Sequence, residues 1–390
     1  MSNYITEIKI NKVRHLENLS IKLGDEKKHL ILTGKNGSGK TSVLEELDKF
    51  FTTILNDYEN SNVIFSEEEL KSIIDNRFKE LSVSFSPTTD IFNQICNYVF
   101  HFKDIQLLYS YFSAKRTTNN MQRPNGIEKI DLSKIKNEKL NQYFLKYIVA
   151  LKAERSFAKD DSDNETVAKI DSWFNTFEEM LKQIFNDDSL ELQFDRRNIM
   201  SYNFLIKRNN RELFDFTTLS DGYSAIIDIV TELLLKIETT KMKSFDVEGI
   251  VLIDEVETHL HVEMQKNIMP LLTSFFPNIQ FIVTTHSPFV MSSLSNAIVC
   301  DLEQKIIVED LSGYSYEEII ESYFDSDKYS QEVKEKLKQF EELSNQTLLN
   351  ENERDEYNAF KRYFKNLPKF MADELAVKIN EILLNDLNKR

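Results

Sequence analysis

The stretch Gly34–Ser42, GKNGSGKTS, constrains the fold more than any other part of the chain. It fits G-x-x-x-x-G-K-[ST], with Gly34, Gly39, Lys40 and Thr41 at the fixed positions. A glycine-rich turn of this kind points successive backbone N–H groups inward, where they cradle phosphates. The helix that follows adds the positive end of its dipole. The flanks agree with this reading: 29–33 (HLILT) is an apolar run suited to a buried strand, and 42–51 puts Val43, Leu44, Leu47, Phe50 and Phe51 on one side of a helix. Gly34, Asn36, Gly37, Ser38, Gly39, Lys40, Thr41 and Ser42 are therefore the candidate nucleotide-phosphate contacts. Lys40 is expected to reach the β- and γ-phosphates, and the Thr41 hydroxyl to sit on Mg²⁺.

A chain of 390 residues has room for two or three domains. Its 41% hydrophobic and 29% charged content is ordinary for a globular protein, and no apolar run is long enough to predict a membrane span. Cys96 and Cys300 make neither a disulfide framework nor a zinc pattern, and the first residues lack a signal-peptide core, so a reducing cytoplasm is expected. The net charge of −16 argues against a surface that binds nucleic acid everywhere, while leaving room for a local basic groove.

Upstream of the loop, Ile5, Ile8 and Ile10, then Leu19, Ile21 and Leu23, predict two strands with Arg14 in the turn between them, placed to reach back to the nucleotide or to stand exposed. Downstream lies a long, glycine-poor segment. Helices are expected at 67–79, 140–151 and 171–184, strands at 81–85 and 105–114, and an acidic linker or mobile loop at 160–165. Strands are expected again over 191–216, where Arg196, Arg197, Lys207, Arg208 and Arg211 form a local basic cluster. That cluster reads as a solvated hairpin face or as a nucleic-acid contact.

Two further stretches carry chemistry. Ser220 and Gly222 stand immediately ahead of a strongly helical run, 225–235, which makes a second anion site: a hydroxyl, a bare backbone and a helix N-terminus. A chain that already has a phosphate loop needs a second such site if two copies sandwich the nucleotide. The run 249–255 (GIVLIDE) reads as a buried strand that delivers Asp254 and Glu255 to its C-terminal tip, the edge at which parallel sheets bind nucleotides. Asp254 is expected to hold Mg²⁺ and Glu255 to polarise the attacking water. A further strand, 277–284, ends at His286, placed to sense a γ-phosphate beside Glu255. Glu257, His259 and His261 lack partners at zinc spacing and read as a turn that pins the loop. A hairpin at 298–308 closes the set, and a charged helical tail follows, with apolar stripes such as Val333, Leu337, Phe340 and Leu343.

Taken in order, these elements resemble an ATP-binding-cassette (ABC) ATPase head. LSDGY is similar to the LSGGQ signature, with Asp221 and Tyr223 as departures. VLIDEVETHLH resembles the DEPE-x-HLHP run of the branch holding RecF, the chromosome-maintenance proteins and the OLD-like ATPases, with Val256 in place of the usual proline. TTHSP matches the switch-histidine motif, and IKINKVRHLENLSIKL is similar to the branch's first strands, with Arg14 at the place of a nucleotide-contacting arginine. The resemblance covers about residues 1–50 and 200–300, and YFSAKR in the intervening lobe is similar to a strand end of defence-associated members.

The resemblance implies an α/β fold: a mixed-sheet head (1–55 and 191–308), an inserted mainly helical lobe (56–190) and a helical C-terminal tail (309–390). It implies ATP and Mg²⁺ as cofactors, a head-to-head homodimer or larger homo-oligomer, and Ser220 and Gly222 touching the γ-phosphate of the other copy. No nuclease domain is expected after the head, since Glu309, Asp325 and Asp327 are too close together. The overall pattern is similar to stand-alone ATPases of the Septu, retron-associated and PARIS anti-phage systems, so a separately encoded effector, a nuclease, is the expected partner and no membrane is. A RecF-like repair ATPase that binds DNA directly, and a nucleotide-dependent scaffold with little turnover, are the alternatives.

Overall fold

The apolar run ahead of the phosphate loop is a buried strand, β3 (His29–Thr33), and the helix behind it is α1 (Lys40–Asn60). In the computed structural model the described residues are 4–60, 81–86, 108–197 (without 117, 119, 129, 136 and 137), 202–209, 212–240, 245–319 (without 317), 331–346, 350–365 and 379. The helix expected at 67–79 lies outside them. So do 370–388 but for Ile379, and most of 316–324.

Among the described residues, three sheets carry the head. β1 (Tyr4–Val13) pairs antiparallel with β2 (Leu16–Lys22) on one side and with β4 (Leu81–Ser86) on the other. A six-stranded sheet runs β12-β11-β3-β10-β9-β5, where β5 is Leu108–Phe112, β9 Gly249–Ile253, β10 Ile279–Thr284, β11 Ala297–Asp301 and β12 Ile306–Glu309. Its strands are parallel except β12, which returns antiparallel beside β11. A third, antiparallel sheet joins β6 (Glu191–Asp195), β7 (Asn203–Lys207) and β8 (Phe214–Asp215).

The core between the first two sheets follows from alternation. Leu30 and Leu32 of β3, Ile250 and Leu252 of β9, and Ile298 and Cys300 of β11 share one face and pack with Val43, Leu44, Leu47, Phe50 and Phe51 of α1 and with Ile8 and Ile10 of β1. The intervening Ile31, Val251 and Val299 are equally buried on the opposite face. Burial on both faces is what a near-continuous apolar run in a parallel strand requires.

Two strands from the range 56–190 join the sheets of the head: β4 completes the first sheet and β5 forms an edge of the second. Further along this range is a helical pair, α2 (Phe144–Asp160) and α3 (Asn164–Phe185), which falls with the head in one compact unit, Met1–Tyr314. The acidic stretch between them is a tight turn rather than a linker: the Asp163 carboxylate accepts the Thr166 N–H at 3.1 Å and caps α3, and Asn186 closes α3 in the left-handed conformation. Helix α4 (Asp221–Thr239) is buried nearly all round, α5 (Val262–Phe275) follows β9, and the short α6 (Pro288–Met291) follows β10.

The second unit, Ser315–Arg390, contains α7 (Gln331–Asn345) and α8 (Glu351–Lys365). The stripe Val333, Leu337, Phe340 and Leu343 packs on Tyr357, Phe360 and Phe364 of α8, so the tail carries its own small core.

Candidate nucleotide site

Three glycines shape the loop. Gly34, Gly37 and Gly39 have φ of +130°, +86° and +97°, a region L side chains rarely enter. The loop folds back so that Lys40 Nζ donates to the carbonyls of Gly34 (2.9 Å) and Lys35 (3.1 Å). Burial pushes the Lys40 ammonium pKa down, while Glu255, Glu257, Asp254 and Asp301 pull it back up.

The acidic strand end meets this loop. Thr41 Oγ1 lies 3.2 Å from both carboxylate oxygens of Asp254. A hydroxyl and a carboxylate are the hard oxygen donors that suit Mg²⁺, and they stand together at the first turn of α1, so this pair fits that ion. Asp254 Oδ1 also accepts from Thr284 Oγ1 at 2.6 Å, and the Glu255 N–H donates to the same hydroxyl at 2.7 Å. Glu255 adopts φ +45°, which turns the chain sharply after β9, and its carboxylate accepts from Thr258 Oγ1 at 3.1 Å.

His286 completes the cluster. Its backbone N–H donates to Glu257 Oε1 at 2.5 Å. Burial first, then the charge of Lys40, push the imidazole pKa down, against Glu257, Glu255 and Asp254. The ring is therefore neutral near pH 7 and lies within electrostatic reach of the loop lysine and both strand-end acids.

The remaining candidates are placed differently. Arg14 is exposed in the β1–β2 turn at φ +53°, and that turn abuts the loop: a β-carbon on Gly39 would lie 2.9 Å from Leu16 Cδ1 and 3.7 Å from His15 Cε1. Ser220 is the N-cap of α4 and makes no side-chain capping bond. Gly222 packs against the loop after β9, where a β-carbon would come 3.0 Å from His259 O. No described hydrogen bond joins Ser220 or Gly222 to the chain's own phosphate loop. In the basic cluster, Arg197 pairs with Asp195 (2.7 Å), Lys207 with Glu191 (3.0 Å) and Arg208 with Asp187 (2.6 Å), and Arg211 lies outside the described residues. The Asp195 pKa is held down at about 2 by Arg197, and that of Asp187 at about 2 by bonds from Ser189 and Arg208.

Sequence reasoning gave no role to Thr284 or Arg116, and read Glu257 only as part of a turn that pins the loop. The Thr-Thr-His286 motif contains the first but does not show which threonine reaches back to Asp254. Arg116 closes the YFSAKR stretch, whose resemblance to a strand end of defence-associated members gave it no role. Its guanidinium is buried against the carbonyls of Asp254, Glu255 and Val256.

A phosphate loop, an acidic strand end beside it and a histidine on the next strand, with a serine-capped helix between loop and acids in chain order, define an ATP-binding ATPase head of the ABC type. Residues 30–292 match the family model described as "AAA domain, putative AbiEii toxin, Type IV TA system", and the chain belongs to that family. It is similar to the Septu protein PtuA of Bacillus mycoides (25% identity over 82% of this chain and 44% of that protein). It is also similar to a Retron Vc95 probable ATPase of Vibrio cholerae (23% identity over 70% of this chain and 68% of that one). The chain thus spans less than half the length of that PtuA. Among solved structures, an Smc head bound to the C-winged helix domain of ScpA aligns over 78% of this chain and 96% of that one, at 12% identity and a TM-score of 0.43. The chain is accordingly an ATPase related to those of anti-phage systems of the Septu and retron kinds. No described helix is long and apolar enough to cross a membrane.

Proposed function

We propose that the chain dimerises around ATP and hydrolyses it as a switch that holds or releases a separately encoded effector, a nuclease, in defence against phage. The observation that carries the dimer is the position of Ser220 and Gly222. They begin a helix that packs against the loop after β9, and no described hydrogen bond links them to the chain's own phosphate loop. An uncommitted helix N-terminus with a free hydroxyl suits the γ-phosphate held by a second copy.

In the reaction, the oxygen of a water bonds to the γ-phosphorus as the bond to the β–γ bridging oxygen breaks. Glu255 takes the water's proton, and His286, neutral, sits beside the γ-phosphate as a hydrogen-bonding sensor. Lys40 exchanges the carbonyls of Gly34 and Lys35 for phosphate oxygens, and the loop N–H groups share the charge. Thr41 and Asp254 would hold Mg²⁺, which shields the β- and γ-phosphates when bound. Arg14 reaches the same nucleotide from the β1–β2 turn. The effector is inferred from kinship with Septu and retron proteins.

The test has two arms. Glu255→Gln with ATP should sediment as a dimer while the ATP-free protein does not; a monomer under both conditions sinks the sandwich. Tagged protein purified from its native host should bring down a nuclease in stoichiometric amount, whereas DNA without any protein partner would replace the effector by direct repair. The repair reading draws on the basic cluster, and three of its cations are already paired with carboxylates.

A further inference from the structure

The backbone after β9 has an unusual anchor. Glu255 at φ +45° turns the chain, and three successive carbonyls, those of Asp254, Glu255 and Val256, point to one side. No described strand receives them; the guanidinium of Arg116 does, and Glu255 O also accepts the Thr258 N–H at 2.9 Å. Nη1 donates to Asp254 O at 2.7 Å and to Ser113 O at 3.0 Å, and Nη2 donates to Glu255 O at 2.8 Å and Val256 O at 3.3 Å. The side chain is 4% exposed. A planar fork with several fixed donors can hold adjacent carbonyls at once, which a lysine ammonium on its flexible stem cannot do with the same geometry.

The same short segment grips the other phosphate-facing element. Two residues on, the Thr118 N–H donates to Ser224 Oγ at 2.7 Å, and Thr118 Oγ1 bonds both Ser224 Oγ (2.8 Å) and Phe216 O (2.8 Å). Ser224 is in the first turn of α4 and Phe216 leads into Leu219–Gly222, so these bonds bracket Ser220 and Gly222. One turn further along α4 is Asp228, 1% exposed. Of the carboxylates around Arg116, Asp228 acts on it most strongly, ahead of Glu257, Asp254 and Glu255. Arg116 Nε and Asp228 Oδ2 are both buried without a hydrogen bond; Lys139 Nζ stands 3.5 Å from that oxygen, and Asn141 donates to the other one. Burial pushes the Asp228 carboxyl pKa up, and Lys139 and then Arg116 work against that push.

We propose that Arg116 is a positioning residue that locks the Asp254–Val256 turn to the helix carrying Ser220 and Gly222, so that a shift at the chain's own γ-phosphate reaches the site it lends to a second copy. The lock rests on the sandwich reading for its second half only. Its first half, the holding of Asp254 and Glu255 by Arg116, stands within one chain. Arg116 touches no substrate; it acts through the turn, and the Thr118–Ser224 bonds two residues on, with Asp228 as counter-charge, tie the turn's movement to the signature helix.

Full-length Arg116→Lys, Asp228→Asn and the double variant decide it, with ATP turnover, ADP affinity and ATP-driven dimerisation in a Glu255→Gln background as readouts. The phosphate loop is untouched, so ADP affinity and KM should stay within about threefold of wild type while kcat falls about tenfold or more. The double variant should lose no more than the worse single, because both cut one lock; independent roles would multiply the losses. With Glu255→Gln, the added Arg116→Lys should weaken the ATP dimer about tenfold with ATP still bound. Wild-type kcat in Arg116→Lys, or multiplied losses, overturns the proposal. Should Glu255→Gln alone fail to dimerise, the sandwich fails, and the kcat and additivity results still judge the lock within the chain. Should Arg116→Lys fail to fold, Asp228→Asn and Ser224→Ala break the same lock from α4, and normal turnover in both overturns it.

Discussion

Thr284 donates its hydroxyl to Asp254 Oδ1 at 2.6 Å and with the same oxygen accepts the Glu255 N–H at 2.7 Å. One side chain at the end of β10 thereby sets two residues at the end of β9. It fixes the Asp254 carboxylate facing Thr41, and it satisfies the amide of a residue whose positive φ takes it out of the sheet ladder. Thr284→Val keeps the shape and removes both bonds, leaving a half-buried N–H unpaired. We expect a loss of roughly 1–3 kcal/mol in stability from that orphaned group. We also expect a drop in turnover of about tenfold or more, with a higher Mg²⁺ requirement, since Asp254 is then free to rotate. Thr284→Ser should restore both. Denaturant melts and a Mg²⁺ titration of ATP turnover check this, and a valine variant with unchanged Mg²⁺ dependence would break the argument.

Glu255→Gln keeps the size of the side chain and its bond from Thr258, and takes away the base. Turnover should fall by about 10²–10⁴, with ATP affinity preserved because the Lys40 and Thr41 contacts remain. Lys40→Ala should do the reverse and lose nucleotide binding itself. Equilibrium binding of a fluorescent ATP analogue beside a phosphate-release assay separates the two; equal loss of binding in both variants would contradict the assigned roles.

The loop glycines make a graded test. A β-carbon at Gly37 (φ +86°) meets nothing within 4 Å, so Gly37→Ala costs backbone strain alone, on the order of 1–2 kcal/mol. At Gly39 (φ +97°) the same carbon would lie 2.9 Å from Leu16 Cδ1, between the loop and the turn bearing Arg14. Gly39→Ala must push the two apart, so nucleotide affinity should fall at least about tenfold further than in Gly37→Ala. Isothermal titration with ADP ranks them, and equal affinities would mean that the β1–β2 turn does not brace the loop.

What could be read from the sequence was what local rules control. The phosphate loop announces itself because its glycines, lysine and threonine are fixed by one turn of backbone. β9 announces itself because burial on both faces demands an unbroken apolar run, and the two acids at its end mark the sheet edge. Pairings between distant segments left no such trace. β4 and β5 read as strands but belonged, by sequence, to an insert; only the ladders to β1 and β9 place them in the head. Two carboxylates that neutralise the basic cluster, Glu191 and Asp187, lie 16 and 21 residues from their partners Lys207 and Arg208, so those pairings left no local trace, whereas Asp195 stands two residues from Arg197. Arg116 stood in the YFSAKR stretch, but its role did not show for a related reason: its partners are main-chain carbonyls, which carry no sequence signature.

His29 links the head's stability to pH. It is buried in β3, its Nδ1 accepts the Phe281 N–H at 3.1 Å, and its ring lies 5.8 Å from that of Phe281. Burial, with Lys27 adding to it, pushes its pKa from 6.5 down to about 3. Between those values the unfolded chain holds a proton that the folded chain refuses. The stabilisation is therefore complete above pH 6.5 and is lost as pH falls towards 3, at up to about 1.4 kcal/mol per pH unit from this one group. His286, also pushed down, acts in the same sense. Asp228 and Glu232, pushed up by burial, act in the opposite one. A single melt against pH would mix these contributions, so the comparison is between wild type and His29→Asn. The asparagine oxygen can still accept the Phe281 N–H but does not titrate. It should cost roughly 1–3 kcal/mol at pH 7.5 through the lost ring packing. It should also flatten the decline between about pH 6.5 and 4.5, because no proton is taken up there on unfolding. Urea midpoints at four pH values for both proteins give the two slopes, and parallel slopes would show that His29 is not the residue that ties this head's stability to acid.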